Sequence, residues 1–317
     1  MGALRRQITM QWISDLFGWA QQGLYEAAIQ PIMFGFGMGA YLEEGYAATG
    51  WLLVGLVQIA LMLALIAPLQ RWRPVEPAVD AASVRTDVLY TLLHRLGLFR
   101  VALFFSVEPL FDSLFGLLRV AGVGTWHIDQ LLAGVADHPL ASFVLYLVVF
   151  DFVDYWIHRG QHAAHWWWNL HALHHSQRSL TMWSDNRNHL LDDLLRDSLL
   201  VVLGQLVGVG PGQFVALVAV AQLSESLQHA NVRLHFGWLG ERLWISPRFH
   251  RLHHGVAGER RNFGVLLPWW DMLFGTADFT LRYEPTGVRD QVEQGRDYGQ
   301  GFWAQQWLGV MRLVGRG

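Results

Sequence analysis

The chain has no cysteine and no lysine, and only 15% of its 317 residues are charged. Without cysteine there is no disulfide, no thiolate-bound haem, no cysteine-held iron–sulfur cluster and no Cys-type zinc site. Without lysine there is no lysine nucleophile, and all 23 basic residues are arginine. Charge this sparse is too little for a soluble domain of such length. The formal net charge is -3; with no long charge run and no nucleic-acid motif, nucleic-acid binding is set aside. Residues 1–30 lack the basic start, apolar core and small-residue cleavage site of a secretory signal. Their mixed Trp, Phe, Leu, Gln and Asp pattern reads as an amphipathic helix lying at an interface.

Apolar sequence is abundant instead, at 52% of the chain. Residues 51–69 are nineteen uncharged positions with Gln58 the one clearly polar side chain, closed by Gln70-Arg71-Trp72-Arg73-Pro74, which is the pattern of a transmembrane helix. Residues 31–42 are apolar but short and Gly-rich. A second span is expected over about residues 101–118, interrupted by Glu108, Pro109 and Asp112, and a third from about Pro139 into Trp156. Residues 199–224 carry no charge for twenty-six positions, but Gly208-Val209-Gly210-Pro211-Gly212 at the middle predicts two helices joined by a tight turn. Arg71, Arg73, Arg85, Arg95 and Arg100 cluster between the first two spans, whereas residues 121–138 hold no arginine. The first of these loops is therefore assigned to the cytoplasm. The expected fold is all-α and integral to the membrane, with about four transmembrane helices, multi-pass, in a bacterial inner membrane. Residues 302–312 read as another amphipathic surface helix.

Histidine is the one remaining soft-nitrogen ligand, and it is concentrated. Residues 151–176 contain His158, His162, His165, His171, His174 and His175. On a helix His158 and His162 share one face, and His171, His174 and His175 stand at i, i+3 and i+4. The same triplet recurs as His250, His253 and His254, with His229 between the two groups. Imidazole without sulfur suits iron, zinc, copper or nickel, and a structural zinc site would close at four ligands. Nine candidates point to more than one metal. Asp154, four before His158, and Asp151, seven before it, share its face and are placed either to orient imidazoles or to bond Arg159 or a neighbouring helix. His94, His127, His138 and His235 are isolated and read as ordinary polar residues.

The pattern Asp151-x-x-Asp154-Tyr155-x-x-His158-Arg159-x-x-His162, His171-x-x-His174-His175-Ser176, His229-Ala230-Asn231 and His250-Arg251-x-His253-His254, then Asn262-Phe263-Gly264 and Trp270-Asp271-x-x-Phe274-Gly275-Thr276, resembles the fatty acid hydroxylase and sterol desaturase superfamily. The resemblance spans about residues 90–280. It implies a non-haem di-iron oxygenase with a histidine-rich cytoplasmic cap, which holds two iron ions and takes O2 as co-substrate. It further implies a lipid substrate from the bilayer and two electrons from a separate donor: a reductase, a ferredoxin or a cytochrome. Ligands carried over are His158, His162, His171, His174, His175, His229, His250, His253 and His254, with His189 added from Arg187-x-His189. There Leu190 stands where the family commonly has Pro and Asp192 supplies the acid, so His189 is ligand or support. Glu225 occupies a position that is histidine in some members and is either a carboxylate ligand or an interfacial acid. Asp154 and Asn231 are assigned to catalysis, and His165 to the periphery. The division expected is residues 1–89 for the interfacial helix and first span, 90–280 for the catalytic region and 281–317 for a surface tail. Rival readings are an ether-lipid monooxygenase or carotenoid hydroxylase, a metal transporter or storage protein, and a di-haem membrane cytochrome.

Overall fold

In hydrocarbon the backbone must satisfy its own N–H and C=O groups, so long apolar runs fold as helices. The computed structural model describes residues 2–257 and 260–316. Among them the regular elements are helical, and one isolated bridge pairs Gly255 with Thr286. The longer helices are α1 (Gly2–Leu24), α2 (Leu42–Leu61), α3 (Ala81–Arg95), α4 (Leu98–Ser106), α5 (Glu108–Val120), α6 (Pro139–Ala163), α7 (His165–His175), α8 (Leu190–Val207), α9 (Pro211–Gln228), α10 (Pro247–His253) and α11 (Phe302–Leu313). They fall into two compact units, one of Met1–Ile59 with Leu93–Pro109 and the other of Ala60–Leu92 with Leu110–Gly317.

In the first unit α1 runs through a π-turn, Tyr25–Ile29, into a short helix that ends at Gly35. Gly37, at φ 70°, reverses the chain, and Tyr25 ties down the returning segment by donating to Leu42 O at 2.9 Å. Gly55 is where α2 meets the carbonyl of Arg95, which a Cβ would approach to 1.7 Å. The side chains of residues 1–11 and 13, and those of Glu108, Pro109 and Asp112, lie outside the described ones, and with them part of the expected amphipathic face and the expected interruptions.

Among the described residues, two helices are long and apolar enough to cross a membrane: Gly39–Trp72 and Pro139–Ala163. They contain the first and third expected spans. The first makes a π-turn over Met62–Ile66 just before Pro68, whose missing N–H leaves a carbonyl of the preceding turn without its usual partner. The expected second span is not one helix. It breaks at Val107 into α4, of 9 residues, and α5, of 13, each short of the roughly 20 residues a crossing needs. The hairpin forms as its turn residues dictate. Gly208, at φ 75°, ends α8, and Pro211 opens α9. Each arm is 18 residues, and α8 carries Asp192, Asp193, Arg196 and Asp197 in its first half.

In the second unit the helix expected over residues 302–312 forms as α11 and packs behind α7. Arg312 Nε donates to Asn169 O at 3.1 Å, and Gln306 O meets His189 Nε2 at 2.8 Å. Gly309 permits this approach, because a Cβ there would lie 2.2 Å from the His189 ring. Gly309→Ala is therefore expected to cost about 1–3 kcal/mol by overpacking, measured as a fall in the denaturation midpoint of the detergent-solubilised protein. An unchanged midpoint would mean that α11 does not bear on His189.

Candidate metal centre

The chain brings nine histidines together from four places. α6 presents His158 and His162 one turn apart, α7 presents His171, His174 and His175, His229 follows the end of α9, and α10 leads into His250, His253 and His254. Their ring nitrogens form three overlapping groups, each with ligand atoms within 4.8 Å of one another: His158, His162, His171 and His175; His174, His229, His250 and His254; and His175, His253 and His254. The first two are cages. The third joins them, and the rings of His175 and His254 stack across the join at 4.3 Å and 15°. His253 and His254 have no solvent exposure.

Outer contacts decide which nitrogen faces inward. His158 Nδ1 meets Phe263 O at 2.8 Å, His253 Nδ1 meets Arg261 O at 2.7 Å and His229 Nδ1 meets Glu225 O at 2.8 Å. A carbonyl only accepts, so each Nδ1 donates and each Nε2 keeps its lone pair. His171 Nδ1 donates to Asp192 Oδ2 at 2.9 Å. In the second cage His229 Nε2 lies 3.2 Å from the Nε2 atoms of both His174 and His250, and His254 Nε2 lies 3.1 Å from His250 Nε2. Among the described residues the buried Nε2 atoms of His171, His175 and His253 have no hydrogen-bond partner, and those of the second cage meet one another. Convergent, dehydrated lone pairs without donors are costly unless a cation takes them. A neutral all-imidazole set suits a divalent first-row metal.

The anchors are themselves anchored. Asp271 takes Phe263 N–H at 2.8 Å and Gly264 N–H at 2.7 Å on its two oxygens, and Asn262 holds the left-handed φ of 56° that starts this turn. Asp192 accepts from Gln161 and from Trp167 Nε1, both at 2.7 Å, on the oxygen His171 does not use. Asp151 clamps the same region from α6, accepting from Leu266 N, Leu267 N and Trp270 Nε1 at 2.7, 3.1 and 2.9 Å. The carboxylate supports Asp192 and Asp271 carry no role in the sequence reading, although Asp192 follows Arg187-x-His189 and Asp271 stands inside the quoted pattern.

Burial holds five of these imidazoles neutral. His174, His175, His250 and His254 are pushed well below the usual histidine range, first by loss of solvation and then by each other, and His253 is lowered to about 3 by burial. Protons bind these rings in the unfolded chain below pH about 6.5 but not in the folded one. Stability of the metal-free protein is therefore intact above that pH and falls as the pH drops toward the folded values. Denaturation of the chelator-treated protein at pH 7.5 and 5.5 checks this; equal midpoints would mean that the rings are hydrated.

Three assigned residues stand elsewhere. His189 caps α8, its Nδ1 accepting from Leu191 N at 3.2 Å while its Nε2 is held by Gln306 O, so both nitrogens are spent. Asp154 is taken by Arg196, whose Nε and Nη2 reach its two oxygens at 2.8 and 2.5 Å, and the same Nη2 reaches Glu225 Oε1 at 3.1 Å. Among the described residues no carboxylate joins the groups. Asn231 accepts from Val75 N and Glu76 N at 3.0 and 2.9 Å and donates to Glu76 O at 2.8 Å, which pins the segment after the first span beside His229.

The fatty acid hydroxylase family model matches residues 143–276. The ornithine lipid hydroxylase OlsE of Rhizobium tropici is 30% identical over 240 residues, covering 74% of this chain and 70% of that protein. Methylsterol monooxygenase 1-3 of Arabidopsis thaliana is 25% identical over 208 residues, 62% of this chain and 68% of its own. The Delta(7)-sterol-C5(6)-desaturase of Nicotiana tabacum is 27% identical over 214 residues, 63% of this chain and 70% of its own. No solved structure matches. The matched region holds all nine grouped histidines and both of their carboxylate supports, and the chain belongs to the fatty acid hydroxylase family.

Proposed function

We propose that the two histidine cages hold two iron ions and that the chain hydroxylates or desaturates an unactivated C–H bond of a bilayer lipid, consuming O2 and two electrons from a separate donor. The observation that carries this is the pair of buried all-imidazole cages sharing the His175–His254 stack at the end of a membrane-length helix. Iron bound there would supply the oxygen activation. The chain's own part is to hold the ligands, through Phe263 O, Arg261 O, Glu225 O and Asp192, and to exclude water. Nine histidines match the number that two irons with open positions require. In this reading the cages lie on the cytoplasmic side, and the substrate enters sideways from the bilayer. The likeness to an ornithine lipid hydroxylase favours a polar membrane lipid over a free sterol.

The test is iron content with Mössbauer spectra of iron-57-grown protein, beside lipid extracts of cells with and without the gene. About two coupled irons per chain and a lipid heavier by one oxygen or lighter by two hydrogens are expected. Protein that binds no iron on anaerobic reconstitution would end the reading and bring metal transport or storage forward.

A further inference from the structure

Electrons must reach these buried cages from outside the chain, and one bonded route runs from the surface to them. Trp166 is 50% exposed. Its indole stacks on that of Trp167, with centroids 5.3 Å apart and planes 10° from parallel. Successive helix residues do not normally face each other, so a parallel pair at adjacent positions requires both side chains to turn toward one another. Trp167 Nε1 donates to Asp192 Oδ1 at 2.7 Å, and Asp192 Oδ2 receives His171 Nδ1 at 2.9 Å. His171 is a member of the first cage. A partly buried indole N–H needs an acceptor, which accounts for Asp192, and the ring stacked on it is half exposed. Trp168 touches the rings of His162 and His175 directly, at 4.9 and 5.4 Å, yet it packs against Ala172, Val288 and Tyr298 in the interior.

We propose that Trp166, Trp167, Asp192 and His171 form the path by which a one-electron carrier, a reduced iron–sulfur or cytochrome protein, feeds the metal centre, with entry at Trp166. The proposal rests on the di-iron reading. At each passage the carrier is oxidised by one electron and one ferric ion becomes ferrous. No bond is made or broken, and the proton of His171 Nδ1 stays in its hydrogen bond to Asp192.

Because the chain has no native cysteine, an introduced one takes a single label. Ala163→Cys, exposed three residues before Trp166, and Glu293→Cys, exposed on another segment, each receive a ruthenium photosensitiser. Flash reduction of the ferric protein is then followed by transient absorption, after iron content has been measured. The fast phase from position 163 is expected to be lost in Trp166→Leu and in Trp167→Leu and restored by Trp166→Tyr, with iron content kept in the Trp166 variants and the rate from position 293 unchanged. An equal rate from position 163 with and without the indoles would overturn the route. So would a loss from both positions, which marks damage to the centre. A parent protein without iron would overturn the di-iron reading itself, and the route with it.

Discussion

His254→Ala is expected to strip metal from both cages at once. His254 belongs to the second cage and to the group that joins the two, and its ring stacks on His175 of the first. Removing it deletes a nitrogen from one site and the packing surface of a ligand in the other. The loss of affinity should exceed the roughly 10–100-fold that removal of an outer partner alone costs, and lipid oxidation should fall with it. The comparison is His189→Ala, whose ring caps a helix. That variant should keep its metal and lose on the order of 1 kcal/mol of stability. Iron analysis of the two variants under one purification reads both outcomes. His254→Ala with two irons retained would remove it from the ligand set, and His189→Ala without iron would put His189 into it.

Asp192→Asn should lower metal affinity or activity by about 10–100-fold while the fold persists. Asp192 is nearly fully buried and serves three donors, His171, Gln161 and Trp167. An amide oxygen in the place of Oδ1 goes on accepting from Gln161 and Trp167, but the NH2 then stands where Oδ2 was and turns a donor toward His171 Nδ1–H. His171 then loses the partner that fixes its tautomer and its ring orientation. Titration of the apoprotein with ferrous iron, with circular dichroism as the control on folding, measures the effect. Wild-type affinity in the variant would show that His171 is oriented by packing alone.

Much of the centre was legible because ligand geometry is written in helical spacing. His171, His174 and His175 repeat the pattern of His250, His253 and His254, and a chain without cysteine has no thiolate to offer a metal in their place. The turn at Gly208 and Pro211 was equally local. What stayed hidden depends on partners distant in sequence. The four-residue step from Asp154 to His158 does put them on one face of α6, but Arg196, from α8, takes both carboxylate oxygens. Asn231 follows His229 by two positions and still turns away to the segment at 75–76. His189 lies in a family-like segment, and only the approach of Gly309 and Gln306 shows why its ring is unavailable. The break at Val107 does have a local sign, the Glu108-Pro109 step that follows it, but the apolar composition around it favoured one span.

The cages are not equally braced. His158, His171, His253 and His229 have their outer nitrogens tied to a carbonyl or a carboxylate, whereas the Nδ1 atoms of His174, His250 and His254 have no such tie. In the second cage the outer tie is on His229, whereas in the first both His158 and His171 have one, so the first cage is the more firmly set in advance. If both cages take an ion, filling would have an order: the more firmly set cage would capture its ion first, and the other would close afterwards. A half-loaded chain would carry its single ion in the first position, and the second ion would be the one to exchange, be lost to chelators and limit how quickly newly made protein becomes competent.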